Sequence, residues 1–173
     1  MIPKIIHYCW FGGNPLPASA LKCIESWRKY CPDYEIKEWN ESNYDVNKIR
    51  YSSQAYQAKK YAFVSDYARF DILYQCGGLY FDTDVEVIRP IDDILAKGAF
   101  LGLETSETVN PGLGMAASSN NPIYAEILQC YEKSDFIKSN GKMDLTTVVT
   151  LVTGILKKHG FTKGNRIQTV KSI

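Results

Sequence analysis

The chain has 173 residues and a formal net charge of +1, from 20 basic and 19 acidic side chains. This balance gives no electrostatic reason to expect a nucleic-acid partner or an anionic membrane surface. Hydrophobic residues make up 45% and charged residues 23%, which is typical of a globular chain and excludes intrinsic disorder. The length predicts a single domain over residues 1–173 with a core that needs no disulfide or metal.

Cysteine usage and hydropathy indicate the cell compartment. Five cysteines are present, none in CxxC spacing, which favours a reducing environment over a disulfide framework or a zinc site. The N-terminal segment is too short and too polar for a signal peptide, and no apolar run reaches the roughly 18 residues of a membrane span. We therefore expect a cytoplasmic protein without a transmembrane segment.

The first half of the chain alternates between strand and helix patterns. Apolar residues predict strands at 2–10 and 34–39, with a helix over 19–30 between them. This β-α-β opening favours an α/β fold with parallel strands. A longer helix is predicted over 56–75, and a strand carrying two acids over 79–88.

The second half contains shorter elements and one polar loop that we expect to be mobile. Its last helix has Asp144 as a plausible N-cap. The predicted elements are a strand at 99–103, the loop at 104–112, a strand at 113–118, helices at 122–136 and 144–159, and the start of a strand at 168–173.

Asp82-Thr83-Asp84 is the first candidate functional motif. On the predicted strand both carboxylates face the same way, because strand side chains alternate. Such a pair can hold a hard cation such as Mg²⁺ or Mn²⁺. The D-x-D spacing alone is a weak signal, but these acids follow an apolar strand, where ligands bind in open α/β sheets. Two solvent-exposed acids at a strand end are the alternative.

Asp66 and Arg69 lie three residues apart and share one face of the predicted helix. The simplest interpretation is a local ion pair worth a few tenths of a kcal/mol. The functional alternative is that Arg69 binds a phosphate or a sugar hydroxyl while Asp66 accepts a hydrogen bond from a hydroxyl.

Trp10 ends the first predicted strand and is followed by Phe11-Gly12-Gly13. A tryptophan beside glycines that allow close approach can stack on a nucleobase, whereas a core tryptophan before a turn is the alternative. The glycines match neither the dinucleotide-binding fingerprint nor the P-loop.

Two histidines are present, His7 and His159. His159 ends a predicted helix, where a cation interacts well with the helix dipole, so we expect a structural role. His7 lies within the first strand and is either a hydrogen-bonded core histidine or a ligand. Because the chain has only these two histidines and no G-x-S-x-G motif, a Ser-His-Asp or Cys-His mechanism has little support.

Three segments together resemble glycosyltransferase family 32, the DXD-containing sugar transferases of the capsular polysaccharide synthesis type. They are IPKIIHYCWFGG, SWRKYCPDYEIKEWN and AFVSDYARFDILYQCGGLYFDTDVEV. The resemblance is strong over residues 2–104 and weaker over 113–160. The glucosyltransferase domains of large clostridial toxins share the same three-part pattern more distantly.

The resemblance implies a GT-A type, Rossmann-like α/β fold with a mixed, mostly parallel sheet that binds a UDP-sugar and Mn²⁺ or Mg²⁺. It implies a bacterial retaining hexosyltransferase of capsular or other surface polysaccharide synthesis. The acceptor would be a saccharide or a lipid-linked saccharide. A lipid-linked acceptor would place the enzyme at the inner membrane face.

The same resemblance implies roles for individual residues on the nucleotide side of the site. Trp10 would stack on the uracil, and Tyr80 would line the donor-sugar pocket. We also include His7 among the nucleotide-sugar-binding candidates.

Four charged residues are the implied catalytic and metal-binding set. Asp66 would hydrogen-bond the ribose or the donor-sugar hydroxyls, and Arg69 would bind the donor sugar near the diphosphate. Asp82 would hold the ribose and the water shell of the metal, and Asp84 would ligate the metal directly.

The chain departs from the family pattern in two places. Family members continue beyond a point corresponding to Ile173, so we expect a missing C-terminal segment, which affects turnover more than binding. Asn120-Asn121-Pro122 also replaces an expected His-Pro. A non-catalytic nucleotide-sugar-binding module is therefore the main alternative. A nucleotidyltransferase is less favoured, because no basic, glycine-rich triphosphate loop is present.

Overall fold

A five-stranded sheet organises the protein, and the computed structural model describes residues 1–170. β1 pairs in parallel with β2 and β3, whereas β5 is antiparallel to β3 and β4. Because β1 and β3 are parallel neighbours, the residues that follow them meet at one edge of the sheet. The strands are β1 (Ile5–Cys9), β2 (Glu35–Trp39), β3 (Gly78–Tyr80), β4 (Phe100–Leu101) and β5 (Met115–Ala117), in the spatial order β2-β1-β3-β5-β4.

Helices cover both faces of this sheet. Within residues 1–170, no helix is both long enough and apolar enough to cross a membrane. The α-helices are α1 (Ala18–Tyr30), α2 (Arg50–Gln57), α3 (Tyr61–Cys76), α4 (Asp92–Leu95), α5 (Pro122–Glu132) and α6 (Val148–Lys158), and a 3-10 helix spans Pro111–Leu113.

Alternation along the strands divides the core between the two faces of the sheet. On one face, Ile6 and Leu79 pack with Trp27 of α1. On the other face, Cys9 and Tyr80 pack with α2, α3, α5 and α6. The sheet is therefore the middle of three layers, as expected when each strand buries both of its faces. This confirms the predicted mixed α/β fold, with β2, β1 and β3 as its parallel part.

The predicted helix over 56–75 is confirmed for residues 61–75 and wrong before them, because two helices occupy this part of the chain. Lys59, between α2 and α3, adopts a left-handed conformation with φ 57°. The backbone N–H of Lys60 then donates to the carbonyl of Ala55 at 2.8 Å, which ends α2. Ala55 and Val64 pack in the same core cluster, so the apolar pattern continues across the break.

The predicted strand over 79–88 is also wrong beyond residue 80. The backbone N–H of Asp82 donates to the Gly112 carbonyl at 3.0 Å, and the N–H of Val85 donates to the Asp82 carbonyl at 3.1 Å. These bonds turn the chain at Thr83 and Asp84. The two acids therefore follow β3 without sharing the face of a strand.

The last helix begins four residues later than predicted. Thr147, not Asp144, is the N-cap, and its hydroxyl accepts from the Thr150 N–H at 3.3 Å. The Asp144 carboxylate accepts instead from the Thr146 N–H at 3.0 Å, which forms a local turn.

The helix predicted over 122–136 ends at residue 132. Residues 168–170 form no strand, and the rest of that predicted strand, 171–173, lies outside the described residues.

The loop predicted to be mobile is packed in its second half. Val109 and Gly112 are buried, and the Val109 N–H donates to the buried Thr153 hydroxyl of α6 at 2.9 Å. Leu103 and Val109 also form an isolated antiparallel bridge. The part of the loop nearest the acids is thus fixed to the body of the protein.

Candidate active site

A cavity of about 430 Å³ opens at the edge of the sheet where β1 and β3 end. This volume is within the usual range for small-ligand sites, roughly 300–1,000 Å³. Three segments form its wall: the turn after β1, the first turns of α3 and the segment after β3. The lining includes Trp10, Asn14, Tyr61, Arg69, Asp82 and Asp84.

Arg69 is the centre of the charged part of the cavity. Its Nη2 lies 3.0 Å from Asp66 Oδ1 and 3.3 Å from Asp82 Oδ1, while Nη1 donates to Asp82 Oδ2 at 3.3 Å. Its Nε donates to the Ser65 carbonyl at 3.0 Å. Burial lowers the pKa of Arg69, but Tyr80, Asp82 and Asp66 raise it more, so the buried guanidinium stays charged.

Asp66 lies behind Arg69 and is not part of the cavity lining. Burial raises its pKa to about 6; Arg69 opposes this shift, and the negative charge of Asp82 adds to it. The backbone N–H of Val148 at the start of α6 also lowers the pKa of Asp66. Asp66 therefore supports Arg69 from inside the protein.

The two acids of the D-x-D motif differ in their surroundings. Asp82 accepts from the Tyr80 hydroxyl at 3.1 Å in addition to pairing with Arg69. Asp84 is exposed, and its carboxylate makes no hydrogen bond or ion pair with any residue that the structure describes. One acid is therefore fixed in place, and the other is free to bind a ligand.

These acids are suitable ligands for a divalent cation of the Mn²⁺ or Mg²⁺ type, because both offer carboxylate oxygens at the cavity wall. Within residues 1–170, no three His, Cys, Asp or Glu side chains come together as a metal cluster. A cation held here would need further oxygen ligands from the bound molecule or from water.

Trp10 lies on the cavity wall at the end of a tight turn. Its Nε1 donates to the Asn14 carbonyl at 2.7 Å, and Gly12 and Gly13 between them have φ values of 99° and 68°. A Cβ at Gly12 would overlap the ring of Tyr61, so the turn packs directly on that ring. Trp10 and Tyr61 thus line the same cavity as Asp82 and Asp84, although the sequence separates them.

His7 is buried outside this cavity. Because an indole only donates, the 3.0 Å bond from Trp39 Nε1 makes His7 Nδ1 an acceptor, and His7 Nε2–H donates to the Gly77 carbonyl at 3.0 Å. Burial lowers the pKa of His7 to about 4, so the ring is neutral. His7 thus has hydrogen-bonded partners at both ring nitrogens and does not line the cavity, and its place among the nucleotide-sugar-binding candidates stays a prediction.

Tyr80 and His159 also act through neighbours. Tyr80 is buried beneath Arg69, whose Cζ lies 4.9 Å from the centre of the tyrosine ring, so it supports the cavity floor and does not line it. His159 Nε2 lies 2.7 Å from Glu126 Oε2 and joins α6 to α5, which is the structural role expected for it.

Sequence reasoning missed several residues of the site. Tyr61 and Asn14 line the cavity, and Gly112 contacts Asp82. Tyr61 was placed inside a continuous helix, and Gly112 inside a mobile loop. The proline-glycine pair at 111–112 signalled a turn, but no local pattern connects it to an acid 30 residues earlier.

A second cavity of about 280 Å³ lies on another side of α3, beside Asp71. The Asp71 carboxylate accepts from Lys48 at 2.8 Å, from the Tyr44 hydroxyl at 2.9 Å and from Gln75 at 2.7 Å. These donors satisfy the carboxylate, so this cluster ties the segment after β2 to α3.

Part of the chain matches a known protein family. Residues 17–101 match the family model described as glycosyltransferase sugar-binding region containing DXD motif. The match contains Asp66, Arg69, Asp82 and Asp84, and it leaves out Trp10 and Gly112. The chain is thus related to DXD-containing glycosyltransferases through the part that carries the charged cluster.

Curated relatives agree with this relationship. The chain is 27% identical over 143 residues to inositol phosphoceramide mannosyltransferase 1 of Schizosaccharomyces pombe, covering 76% of this chain and 43% of that protein. It is 26% identical over 165 residues to subversion of eukaryotic traffic protein A of Legionella pneumophila, covering 77% of this chain and 25% of that protein. The chain spans between 25% and 60% of the lengths of the curated relatives it matches.

A solved structure shares the fold. The PaToxG glycosyltransferase superposes with a TM-score of 0.61 at 22% identity, over 91% of this chain and 68% of that one. This likeness confirms the predicted GT-A type fold.

Proposed function

We propose that the chain transfers a sugar from a nucleotide-sugar donor to a saccharide acceptor with the help of a divalent cation. The observation that carries this proposal is the unequal pair of acids beside Arg69: Asp82 is fixed by the protein, whereas Asp84 is free at the cavity wall. A site that binds a metal diphosphate needs both a fixed anchor and an available carboxylate.

Asp82 and Asp84 would hold Mn²⁺ or Mg²⁺. When bound, the cation supplies a positive charge that stabilises the diphosphate leaving group as the sugar–phosphate bond breaks. The acids alone would repel an anionic diphosphate, so binding of the nucleotide should depend on the metal.

Arg69 would contact the donor directly. A guanidinium has five N–H donors in a planar fork. Four donor–acceptor contacts to Ser65, Asp66 and Asp82 leave an N–H of Nη1 available in a residue that lines the cavity. This donor would bind a phosphate or sugar oxygen, while Asp66 keeps the guanidinium in place.

Trp10 would bind the base. Trp10 lines the cavity and its indole is held by the bond to Asn14, so it would stack on a flat ring without being ordered first. A uracil at this position makes a UDP-sugar the proposed donor.

We further propose hexosyl transfer with retention of configuration in bacterial surface polysaccharide synthesis, which rests on the family 32 resemblance. The fission-yeast relatives are named for mannosyl transfer to inositol phosphoceramide. Those names support a lipid-linked acceptor as one candidate, with the protein at the inner face of the membrane.

Calorimetric titration of UDP with and without Mn²⁺ tests the donor site. We expect binding that depends on Mn²⁺, followed by selection of one sugar in a panel of UDP-sugars. A folded protein that binds no UDP at any Mn²⁺ concentration would contradict the proposal.

Sugar release separates the two main alternatives. An enzyme that binds the donor should release free sugar slowly to water, as measured by formation of UDP. Binding without any release of UDP would favour the nucleotide-sugar-binding module instead.

A further inference from the structure

We propose that Gly112 is a positioning residue for the donor site, because its missing side chain lets the turn after β4 close directly on the Asp82 carboxylate. The inference rests on the proposed function. The 3-10 helix Pro111–Leu113 would then fix the orientation of that carboxylate.

The first observation is steric. A Cβ built on Gly112 would overlap Asp82 Oδ2, so no other residue fits here without moving the carboxylate. Gly112 does not have a positive φ, so an L-residue could adopt its backbone conformation. The requirement for glycine is therefore one of space next to Asp82 and not one of backbone conformation.

The second observation is that hydrogen bonds to the rest of the protein hold the turn in place. The side chain of Asn110 accepts from the Gly112 N–H at 2.9 Å, and the Asn110 N–H donates to the Gly102 carbonyl at 2.9 Å. The preceding residue, Val109, is bonded to the buried Thr153 of α6. A side chain added at Gly112 would therefore displace the carboxylate and leave the turn in place.

The third observation is that Asp82 is held from both sides. Arg69 and the Tyr80 hydroxyl bind its oxygens on one side, and the Gly112 backbone closes the other and accepts the Asp82 N–H. Asp84, two residues later, has no such support among residues 1–170. Only Asp82 is oriented before a ligand arrives, as expected of an anchor in a binding site.

The test compares Gly112→Ala with Gly154→Ala, since Gly154 lies on α6 with open space around its Cβ position. We expect Gly112→Ala to weaken Mn²⁺-dependent UDP binding by about 10- to 100-fold, the usual effect of losing a residue that orients a ligand. Gly154→Ala should bind UDP as the unchanged protein does.

UDP binding by the unchanged protein distinguishes failure of the proposed function from failure of the positioning role. If it binds no UDP, the proposed function fails; if it binds UDP and Gly112→Ala binds equally well, only the positioning role is overturned.

A double variant distinguishes positioning from a general structural effect. In an Asp82→Ala background the carboxylate that would collide with the new Cβ is gone, so Gly112→Ala should cause no loss of thermal stability beyond that of Asp82→Ala. Equal losses in both backgrounds would overturn the inference. If Gly112→Ala alone does not fold, recovery of folding in the double variant supports the collision, and no recovery contradicts it.

Discussion

Helix α3 carries two buried carboxylates, Asp66 and Asp71, in opposite electrostatic situations. Asp71 is surrounded by donors, and the Lys48 ammonium contacts it directly at 2.8 Å. Its charge is neutralised within the protein, and its hydrogen-bonding capacity is filled. Such a cluster holds two segments together and has no reason to bind anything else.

The Asp66 cluster is short of positive charge. Asp66 and Asp82 share the single guanidinium of Arg69, and Asp84 adds a third carboxylate at the cavity. An excess of negative charge beside a cavity is costly unless a cation joins it. This difference supports the proposal that the Asp66 cluster, and not the Asp71 cluster, lies at a ligand site.

Removing the free acid should have the largest effect on binding. We expect Asp84→Ala to abolish Mn²⁺-dependent UDP binding while leaving the free energy of unfolding unchanged, because Asp84 is exposed and its carboxylate makes no hydrogen bond or ion pair within the described chain. Calorimetry and urea unfolding measure the two quantities. The exposed Asp93 lies away from the cavity, so Asp93→Asn is the control, and unchanged UDP affinity in Asp84→Ala would remove Asp84 from the site.

Replacing Arg69, the guanidinium that Asp66 and Asp82 share, tests the same comparison. Arg69→Lys keeps the charge but loses the planar fork that contacts Asp66 and Asp82 together. We expect affinity for a UDP-sugar to fall by about 10- to 100-fold, with a smaller fall in affinity for UDP. Equal affinity for both ligands in Arg69→Lys and the unchanged protein would show that Arg69 only holds the fold.

Disrupting the Asp71 cluster should lower the free energy of unfolding without changing UDP affinity. Asp71→Ala leaves the buried Tyr44 hydroxyl without its partner, and we expect a loss of about 1–3 kcal/mol in the free energy of unfolding. UDP affinity at saturating Mn²⁺ should stay unchanged. Urea titration gives the stability, and a matching loss of UDP affinity would show that the two clusters are coupled through α3.

Titration of Asp66 should affect only the pH dependence of stability. Its pKa is raised from an ordinary value of 3.8 to about 6 in the folded protein, so the folded state holds a proton that the unfolded state has lost. Asp66 therefore lowers stability as the pH rises from about 4 to 6, by about 1–3 kcal/mol over that window.

Asp66→Asn should remove this contribution. Urea midpoints measured between pH 4 and pH 7 should fall less steeply with pH in Asp66→Asn than in the unchanged protein. The exposed control Asp93→Asn should keep the original slope. Parallel curves for Asp66→Asn and the unchanged protein would mean that Asp66 titrates normally.

The sequence was informative wherever the pattern is local. Residues 5–9 and 35–39 lie inside the two predicted opening strands, since β1 is a short apolar run that is buried on both faces and such a run is readable in the sequence. The pairing of Asp66 with Arg69 follows from helix geometry in the same way.

The rest depends on partners far away in the chain. The turn after Tyr80 exists because Asp82 bonds to Gly112, and the His7 ring is held in place because Trp39 donates to its Nδ1. The break at Lys59 leaves no trace in the apolar spacing. Three-dimensional neighbours, not local propensities, set these features, so one sequence could not reveal them.

The break at Lys59 has an electrostatic consequence for the cavity. Because α3 starts anew at Tyr61, its first turn lines the cavity through Tyr61, Ala62 and Ser65. The first backbone N–H groups of a helix have no partners within it, and the aligned peptide dipoles add a partial positive charge at that end. A continuous helix would place its neutral middle there, so the break puts the partial positive charge of a helix end at the cavity wall.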